Sequence, residues 1–336
     1  MKKIDTGNPN FEKLIECNNI YVDKTKYLYN LLNDGGTYYF CCRPRRFGKT
    51  LTINTLEAIF NGKKELFNGL YIYSTDYDFK KYPIIHIDFG KCGATSGEEF
   101  STWLVNKLDD IALGYNISLP KSAYYTKPDR LIIELSKKDS AVILIDEYDK
   151  MLSNNIYNPE VEKIRDILRS FFEVIKASYN NLNFFITGVT KYSKVSIFSS
   201  MNNFRDLSTS EQYALMFGYC QEELETYFAE YIEDGVNKTG LSKTEYLNRL
   251  KMKYDGYRFT NDGKTVYNPV SVGNFFVNEG KTFNNYWIET GNSKLLVDIA
   301  KRVNFNVDTS LNEPLSDDDI TFFDIVDIAS SSVNLM

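Results

Sequence analysis

The amino-acid sequence predicts an α/β fold in which a parallel sheet carries helices on both faces. Short apolar runs, typical of strands buried in a parallel sheet, alternate with stretches of helical periodicity between residues 38 and 187. A Gly-Lys-Thr triplet at residues 48–50 lies between the first apolar run and the first helical stretch. An Asp-Glu pair at residues 146–147 ends a later apolar run. We expect this α/β domain to occupy residues 1–216.

Four apolar runs are predicted to be strands, and helical stretches are expected between them. The strands are expected at residues 38–42, 84–89, 142–145 and 183–187. The helices are expected at residues 51–60, 98–113, 129–137 and 161–179. Parallel strands joined through helices require right-handed crossovers, which place helices on both faces of the sheet. A further helix is expected before the first strand, where the apolar side chains of residues 27–32 share one face.

The alternation of strands and helices ends after residue 216. The sequence of residues 217–310 predicts a small α/β or helical module. Helices are expected at residues 221–231, 243–253, 271–277 and 293–302. Residues 257–266 contain Asn-Asp-Gly between aromatic runs, which predicts a β-hairpin. Residues 311–336 carry several acids and are expected to form an acidic tail or a linker.

Composition narrows the classes of function. The chain has 336 residues and a net charge of −6, and this charge disfavours a broad nonspecific grip on DNA or RNA. No run of about 18 apolar residues occurs, so no membrane-spanning helix is expected. The N-terminus lacks the apolar core of a signal peptide, so we expect a cytoplasmic location. Five cysteines without regular spacing argue against a disulfide framework.

Gly-Lys-Thr occurs at three places in the sequence, residues 48–50, 263–265 and 280–282. The second triplet follows Asn-Asp between short aromatic runs, and the third has no strand before it, so both are expected to be turns. Only the first lies between a strand and a helix, which is the setting that a phosphate-binding loop requires. The alternative for this triplet is a basic turn before a helix.

The residue types of this first loop suit the binding of phosphate groups. Gly48 lets backbone amides approach phosphate oxygens, Lys49 offers a compact cation to the β- and γ-phosphates, and Thr50 offers its hydroxyl to Mg²⁺. The helix that follows presents its positive end to the anion. Arg43 stands where the usual pattern has its first glycine, so the loop must turn in a different way, which Pro44 would assist. The expected nucleotide-binding residues are Arg43, Pro44, Arg45, Arg46, Phe47, Gly48, Lys49, Thr50 and Leu51.

Asp146 and Glu147 suggest the second half of this chemistry. Asp146 follows the apolar run at residues 141–145 and is suited to hold Mg²⁺ through water, as a Walker B aspartate does. Glu147 is suited to orient and polarise the attacking water, and such general-base help contributes about 10²- to 10⁴-fold in rate. The alternative is a strand that ends in a solvated acidic turn. One strand intervenes between the loop and this pair, which is the layout of the additional-strand class of P-loop ATPases.

A further strand end carries Thr187, which we choose as a residue that contacts the γ-phosphate or the attacking water. A plain strand end is the alternative for Thr187. The expected catalytic residues are therefore Glu147, Lys49 and Thr187, and the expected metal ligands are Thr50 and Asp146. Arg205 and Arg258 are candidates for an arginine finger, but their spacing singles out neither one, and a surface position is the alternative for each.

Several blocks of sequence, spread over about residues 1–300, carry a family resemblance. They are Tyr-Val-Asp-Lys-Thr at 21–25, Arg-Pro-Arg-Arg-Phe-Gly-Lys-Thr-Leu at 43–51, Ile-Asp-Glu-Tyr-Asp-Lys at 145–150, Thr-Gly-Val-Thr-Lys-Tyr-Ser-Lys-Val-Ser-Ile-Phe at 187–198, Tyr-Asp-Gly-Tyr at 254–257, Val-Tyr-Asn-Pro-Val-Ser at 266–271 and Tyr-Trp-Ile-Glu-Thr-Gly at 286–291. Together they resemble the bacterial AAA-ATPase-like family. The resemblance implies an AAA+/STAND-like P-loop core with a small helical or winged-helix-like lid, and it implies that arginine is normal at position 43.

Members of that family usually continue into a C-terminal nuclease-like domain of the PD-(D/E)xK type, which is expected to be absent here. Such a site needs Glu/Asp-x-Lys on a strand to hold a metal and position water. The spacing occurs only at residues 78–80, 262–264 and 279–281, which are expected loops or turns. No nuclease activity is therefore expected in this chain. Self-association, DNA and a separate nuclease are kept as alternative partners.

The expected function is the binding of ATP with Mg²⁺ and its slow hydrolysis. No Asn/Thr-Lys-x-Asp guanine signature follows the fourth predicted strand, which favours adenine. The alternative is a nucleotide-gated switch or scaffold that keeps ATP or ADP bound and controls a missing domain or a partner.

Overall fold

The computed structural model describes residues 1–121, 123–137, 139–177, 182–190, 204–261 and 263–286. Its main feature is a parallel sheet with helices, which confirms the predicted α/β class. The strands are β1 (Tyr38–Cys42), β2 (Ile84–Asp88), β3 (Ala141–Asp146), β4 (Leu182–Gly188) and β5 (Arg205–Asp206). Their order in the sheet is β2-β3-β4-β1-β5. All four predicted strands are present, and the two-residue β5 is too short to show a period in the sequence.

The register of β3 and β4 places the carboxyl ends of these two strands side by side. In the parallel pair of β3 and β4, Ile145 lies opposite Ile186. The next residues are Asp146, which ends β3, and Thr187, which is the penultimate residue of β4, so both lie at the carboxyl ends of neighbouring strands. Every residue of β3 is buried, as expected for a strand covered on both faces.

The helices of the described residues match most of the predicted stretches. They are α1 (Phe11–Glu16), α2 (Thr25–Asn33), α3 (Lys49–Phe60), α4 (Gly97–Gly114), α5 (Lys127–Leu135), α6 (Lys150–Asn154), α7 (Val161–Ala177), α8 (Gln221–Tyr227), α9 (Ala229–Thr239), α10 (Lys243–Tyr254) and α11 (Pro269–Val277). The short helices α1 and α6 were not expected from the sequence. The single helix expected at 221–231 is two helices, which Phe228 separates.

The predicted hairpin is also present in the C-terminal part of the chain. Its antiparallel strands are β6 (Tyr257–Arg258) and β7 (Thr265–Val266). The helix expected at residues 293–302 and the acidic tail expected at 311–336 lie outside the described residues.

Local capping explains where several helices begin. Ser96 Oγ accepts a hydrogen bond from the Glu99 amide at 3.2 Å at the start of α4. Asn268 Oδ1 accepts one from the Ser271 amide at 3.0 Å at the start of α11, where Pro269 occupies the first turn. Each cap satisfies an amide that has no acceptor within the helix, and proline costs nothing there because its missing N–H would be unpaired anyway.

The chain forms two compact units. The described residues of Met1–Ile84 and Arg205–Gly291 form unit 1, and those of Ile85–Phe204 form unit 2. Within unit 1, Val22 shares a hydrophobic core with the C-terminal helices, through Leu224, Phe228, Ile232, Tyr246, Leu250, Tyr254, Tyr267, Val272, Phe275, Phe276 and Tyr286. The domain boundaries expected at residues 216 and 310, and the lid character of the C-terminal module, stay predictions.

No helix in the described ranges combines the length and the apolar character needed to cross a membrane. The five cysteines are free thiols, and burial raises the pKa of Cys41, Cys92 and Cys220. A raised pKa leaves less of the reactive thiolate, so these three thiols are expected to react slowly.

Candidate functional site

The phosphate loop, residues 43–48, joins β1 to α3. Its main chain turns at Arg46 and Gly48, whose φ angles of 71° and 94° are left-handed. Gly48 is the N-cap of α3, and its carbonyl oxygen accepts the Thr52 amide at 2.9 Å. Glycine adopts such an angle without the clash that a Cβ would cause. Arg43 has no positive φ, so the loop does not need the usual first glycine for its turn.

The two other Gly-Lys-Thr triplets lie in different settings. Gly263 has a φ of 78° in the connection that leads into β7. Gly280 has a φ of 63° in the turn after α11. Neither triplet begins a helix, which agrees with the expectation that both are turns.

Lys49 begins α3 and is folded back over the loop. Its side chain is 6% exposed, and Nζ donates to the carbonyl oxygens of Arg43 at 2.9 Å and Pro44 at 2.8 Å. The ammonium thus remains at the loop, where the oxygens of an anionic ligand could replace these carbonyls. Thr50 and Leu51 are half-buried in the first turn of the helix. Arg45 is half-buried and Arg46 is exposed.

The side chain of Arg43 is buried, with 2% of its surface exposed. Its Nη1 donates to the carbonyl oxygens of Cys42 at 2.8 Å and Ser208 at 2.7 Å. The guanidinium carbon lies 4.2 Å from the ring centroid of Phe259 and 5.5 Å from that of Phe217. The sequence interpretation placed Arg43 among the nucleotide-binding residues. Its carbonyl oxygen meets Lys49, whereas its guanidinium is engaged by carbonyls and aromatic rings.

Phe47 fixes the other end of the loop and is 1% exposed. Its ring meets Tyr257 edge-on, with centroids 4.8 Å apart, and Phe259 in the same manner at 5.6 Å. The carbonyl oxygen of Phe47 accepts the Gly218 amide at 3.3 Å. Sequence reasoning did not find these partners, because they come from the C-terminal module and no periodicity links them to the loop.

Asp146 ends β3 as a fully buried carboxylate. Its Oδ1 accepts the Thr187 hydroxyl at 2.6 Å and the Glu147 amide at 3.0 Å. Thr187, also fully buried, is the penultimate residue of the neighbouring strand β4. The geometry therefore gives Thr187 a direct contact with Asp146. Its predicted contact with the γ-phosphate or water stays a prediction.

Glu147 follows in a left-handed conformation, with a φ of 50°. Non-glycine residues adopt this region rarely, and such residues concentrate at functional sites. Its Oε2 lies 3.3 Å from Lys150 Nζ, and both side chains are roughly a quarter exposed. A methyl group on Gly90 would come within 2.6 Å of the same Oε2, so Gly90 leaves room for the carboxylate. Sequence reasoning missed Gly90 and Lys150, although Lys150 follows Glu147 by three residues.

Tyr148 and Asp149 fasten the acidic turn to the end of β4. The buried Tyr148 donates its hydroxyl to the Thr190 carbonyl oxygen at 2.7 Å, and its amide donates to the Thr187 carbonyl oxygen at 3.1 Å. Asp149 Oδ2 accepts the amides of Val189 at 3.1 Å and Thr190 at 2.7 Å. The turn that carries Glu147 is therefore held by hydrogen bonds on both sides.

Both arginine-finger candidates are exposed, Arg205 on β5 and Arg258 on β6. Arg205 Nη1 lies 2.6 Å from Asp34 Oδ2, and this carboxylate also accepts the hydroxyls of Tyr39 and Tyr213. Burial, together with the Asp34 charge, raises the pKa of both phenols well above the ordinary value. Arg205 is therefore engaged in an ion pair at the surface.

Two comparisons with known proteins bear on this site. A family model described as "Predicted AAA-ATPase" matches residues 5–198, which include the phosphate loop, the acidic turn and β4. A curated protein of Azotobacter chroococcum mcd 1, named "Uncharacterized protein in vnfD 5'region", is 33% identical over 303 residues. The alignment covers 89% of this chain and 56% of that protein. The chain thus spans about half the length of this curated relative.

Proposed function

The chain belongs to the predicted AAA-ATPase-like family, and on that premise we propose that it binds ATP with Mg²⁺ and hydrolyses it slowly. Family membership supports nucleotide binding in general terms. The observation that carries the proposal further is the phosphate loop, where a strand, a turn with left-handed Gly48, and a helix that begins with Lys49 follow one another. This order of elements is the one in which backbone amides and a lysine cradle phosphate groups.

Each part of the loop is given a role in this proposal. Lys49 exchanges its two carbonyl acceptors for the β- and γ-phosphate oxygens, since a charged acceptor forms the stronger hydrogen bond. The amides at the start of α3 lack acceptors within the helix and point toward the bound anion. The residues proposed to contact nucleotide are Arg43, Pro44, Arg45, Arg46, Phe47, Gly48, Lys49, Thr50 and Leu51.

We propose Thr50 and Asp146 as the residues that hold Mg²⁺, directly or through water. A hydroxyl and a carboxylate are oxygen ligands of the kind that this ion prefers. The donor set fits, because the Thr187 hydroxyl and the Glu147 amide both donate to Oδ1 and so fix the orientation of the Asp146 carboxylate. When bound, the ion neutralises charge on the phosphate oxygens.

Glu147 is proposed as the general base that takes a proton from the attacking water. Its partly exposed carboxylate directly follows the aspartate proposed to hold the metal, in a turn held by Tyr148 and Asp149. The strained φ of Glu147 supports a functional role, because neighbouring contacts must maintain such a conformation.

A nucleotide-gated switch with little turnover is the second candidate, and the ion pair of Glu147 with Lys150 favours it. An ammonium beside the carboxylate competes with water for the oxygen that must act as base. In this alternative, ATP or ADP stays bound and its presence controls a partner or a further domain.

Binding is tested with Lys49→Ala, which removes the ammonium from the loop. We expect isothermal titration with MgATP to show binding by the wild type and none by the variant. Lys281→Ala is the matched control. Lys281 is the lysine of the third Gly-Lys-Thr triplet, which lies in an exposed turn, and it pairs with Glu279. Equal MgATP binding by the wild type and Lys49→Ala would contradict the proposed loop.

Turnover is tested with Glu147→Gln, which keeps the shape of the side chain and removes its basicity. We expect MgATP to bind as it does to the wild type, while steady-state phosphate release falls by about 10²-fold or more, the size of a general-base contribution. Release by Glu147→Gln at the wild-type rate would refute the role of Glu147. Tight binding with no phosphate release by the wild type would identify the switch instead.

A further inference from the structure

The back of the phosphate loop packs on three rings, which we call the aromatic anchor: Phe217, Tyr257 and Phe259. Phe259 contacts both loop residues, Arg43 through its ring face and Phe47 through an edge-to-face contact. All of these residues belong to unit 1. The anchor therefore joins the loop to the hairpin of the C-terminal module within one compact body.

Arg43 enters this contact as a buried cation without an acidic partner. Among the described residues no carboxylate forms an ion pair with it, and its Nε and Nη2 atoms have no hydrogen-bond acceptor. The guanidinium contacts two main-chain carbonyl groups and lies over two aromatic rings. A buried charge is stable only where dipoles or π faces compensate its lost hydration, so the Phe259 ring is part of what fixes Arg43.

A short chain of contacts leads from Phe259 to the residue that meets phosphate. The ring holds the Arg43 guanidinium at 4.2 Å, and the Arg43 carbonyl oxygen accepts Lys49 Nζ at 2.9 Å. A shift of the Arg43 side chain moves its main chain, and with it the oxygen that holds the Lys49 ammonium at the loop before nucleotide binds. The charge of Arg43, which no carboxylate among the described residues neutralises, also adds positive potential behind the loop, where burial weakens screening by salt.

We propose that Phe259 is a positioning residue of the nucleotide site, which sets the affinity for nucleoside di- and triphosphates by holding Arg43. The nucleotide site thereby includes the hairpin of the C-terminal module. The inference rests on the proposed binding of nucleotide at the phosphate loop. Linkage between two sites is reciprocal. A phosphate group bound at the loop should therefore stabilise the hairpin.

The test is a double-mutant cycle on the Kd for MgATP, measured by isothermal titration of the full chain. Phe259→Leu keeps an apolar side chain and removes the π face, and Arg43→Met removes the charge. We expect each single variant to raise Kd about 3- to 30-fold, the range that a cation–π contact spans from exposed to desolvated sites. In the Arg43→Met background, Phe259→Leu should raise Kd by less than about twofold, since the contact is already lost.

Two further variants separate positioning from general packing. Phe259→Tyr keeps the ring face and should bind MgATP within about twofold of the wild type, as a conservative rescue. Phe283→Leu is the matched control, because Phe283 is a half-buried ring of the same module that packs on Tyr246 and Phe275. Its Kd should stay at the wild-type value.

The outcomes are distinct for this inference and for the proposed function. Independent, additive effects of Phe259→Leu and Arg43→Met, or an equal loss in Phe283→Leu, would overturn the role of Phe259 while leaving nucleotide binding intact. No MgATP binding by the wild type would overturn both. Non-additive effects with rescue by Phe259→Tyr would establish the coupling.

Discussion

The phosphate loop and the acidic end of β3 are held by partners at very different distances along the chain. Arg43 of the loop donates to Ser208, which follows it by 165 residues, and it lies under the still more distant Phe259. Asp146 accepts from Thr187, 41 residues later, and Glu147 pairs with Lys150 on the next turn. The loop is held by the C-terminal segment of unit 1, whereas the hydrogen bonds described for the acidic end lie within unit 2.

This difference matters because a contact between distant residues closes a longer loop of chain than a contact between near ones. The entropic cost of closing a loop rises with its length, by about 0.6 kcal/mol for each doubling, so the anchor of the phosphate loop costs more to form than the contacts of the acidic turn. We therefore expect damage to the C-terminal hairpin to weaken the phosphate loop and to leave the acidic turn unchanged. Substitutions in each region test whether the two are independent.

The largest effect is expected for Phe47→Ala, which removes the ring that packs the loop on the aromatic anchor. Removal of a fully buried phenylalanine ring costs about 3–5 kcal/mol of unfolding free energy, and Phe47 is 1% exposed. Urea unfolding followed by circular dichroism measures the loss. Tyr257→Phe is the control, because it keeps the ring that meets Phe47 and should change stability little. A similar loss in both variants would place the stability in the tyrosine hydroxyl instead.

Thr187→Val probes the acidic end with an isosteric change. The valine methyl cannot donate the 2.6 Å hydrogen bond to Asp146 Oδ1, and a bond to a charged acceptor in a buried site is worth about 1.5–3 kcal/mol. Thermal unfolding of Thr187→Val beside Thr187→Ser, which retains a hydroxyl, isolates this bond. If serine and valine destabilise equally, packing at the strand end matters more than the carboxylate contact.

The strands of the sheet could be predicted because their pattern is local and continuous. Buried parallel strands appear in the sequence as short apolar runs. Asp146 stands at the end of such a run, and Gly48 stands where the turn after β1 gives way to α3. The two-residue β5 and the helix break at Phe228 could not be predicted. The first has no period to detect, and the second depends on packing in the C-terminal core.

The candidate site follows the same division. The Asp-Glu pair and the Gly-Lys-Thr triplet are contiguous in sequence, so the residues themselves and the predicted elements beside them suffice to find both. The direction of the Arg43 side chain is set by Phe217 and Phe259, which spacing does not connect to the loop. The contact of Thr187 with Asp146 needs the register of β3 and β4, which fixes the two strand ends side by side.

Gly188→Ala tests how tightly the acidic end is packed, and its effect on stability is expected to be smaller. A Cβ at this position would lie 2.4 Å from the ring of Tyr148 and 2.9 Å from Asp149 Oδ1. Overpacking of this kind costs about 1–3 kcal/mol, because Tyr148 is fully buried and cannot move aside. Gly93→Ala is the matched control in unit 2, since its Cβ would meet no atom within 4 Å. Chemical denaturation should separate the variants, and equal stability would mean that the turn yields easily.

The smallest effect is expected for Lys150→Met, and the sign of the change in phosphate release shows whether Lys150 competes with water for Glu147 or holds Glu147 in position. A partly exposed ion pair is worth about 0.2–1 kcal/mol, so the stability of the variant should stay close to that of the wild type. In this variant no ammonium has to be displaced from the Glu147 carboxylate before the carboxylate accepts a proton from water. We expect phosphate release to rise about 1.5- to 5-fold, the kinetic equivalent of that ion-pair energy. Lys150→Arg keeps the charge and should retain the wild-type rate. A fall in release with unchanged MgATP binding would mean instead that Lys150 holds Glu147 in its working position.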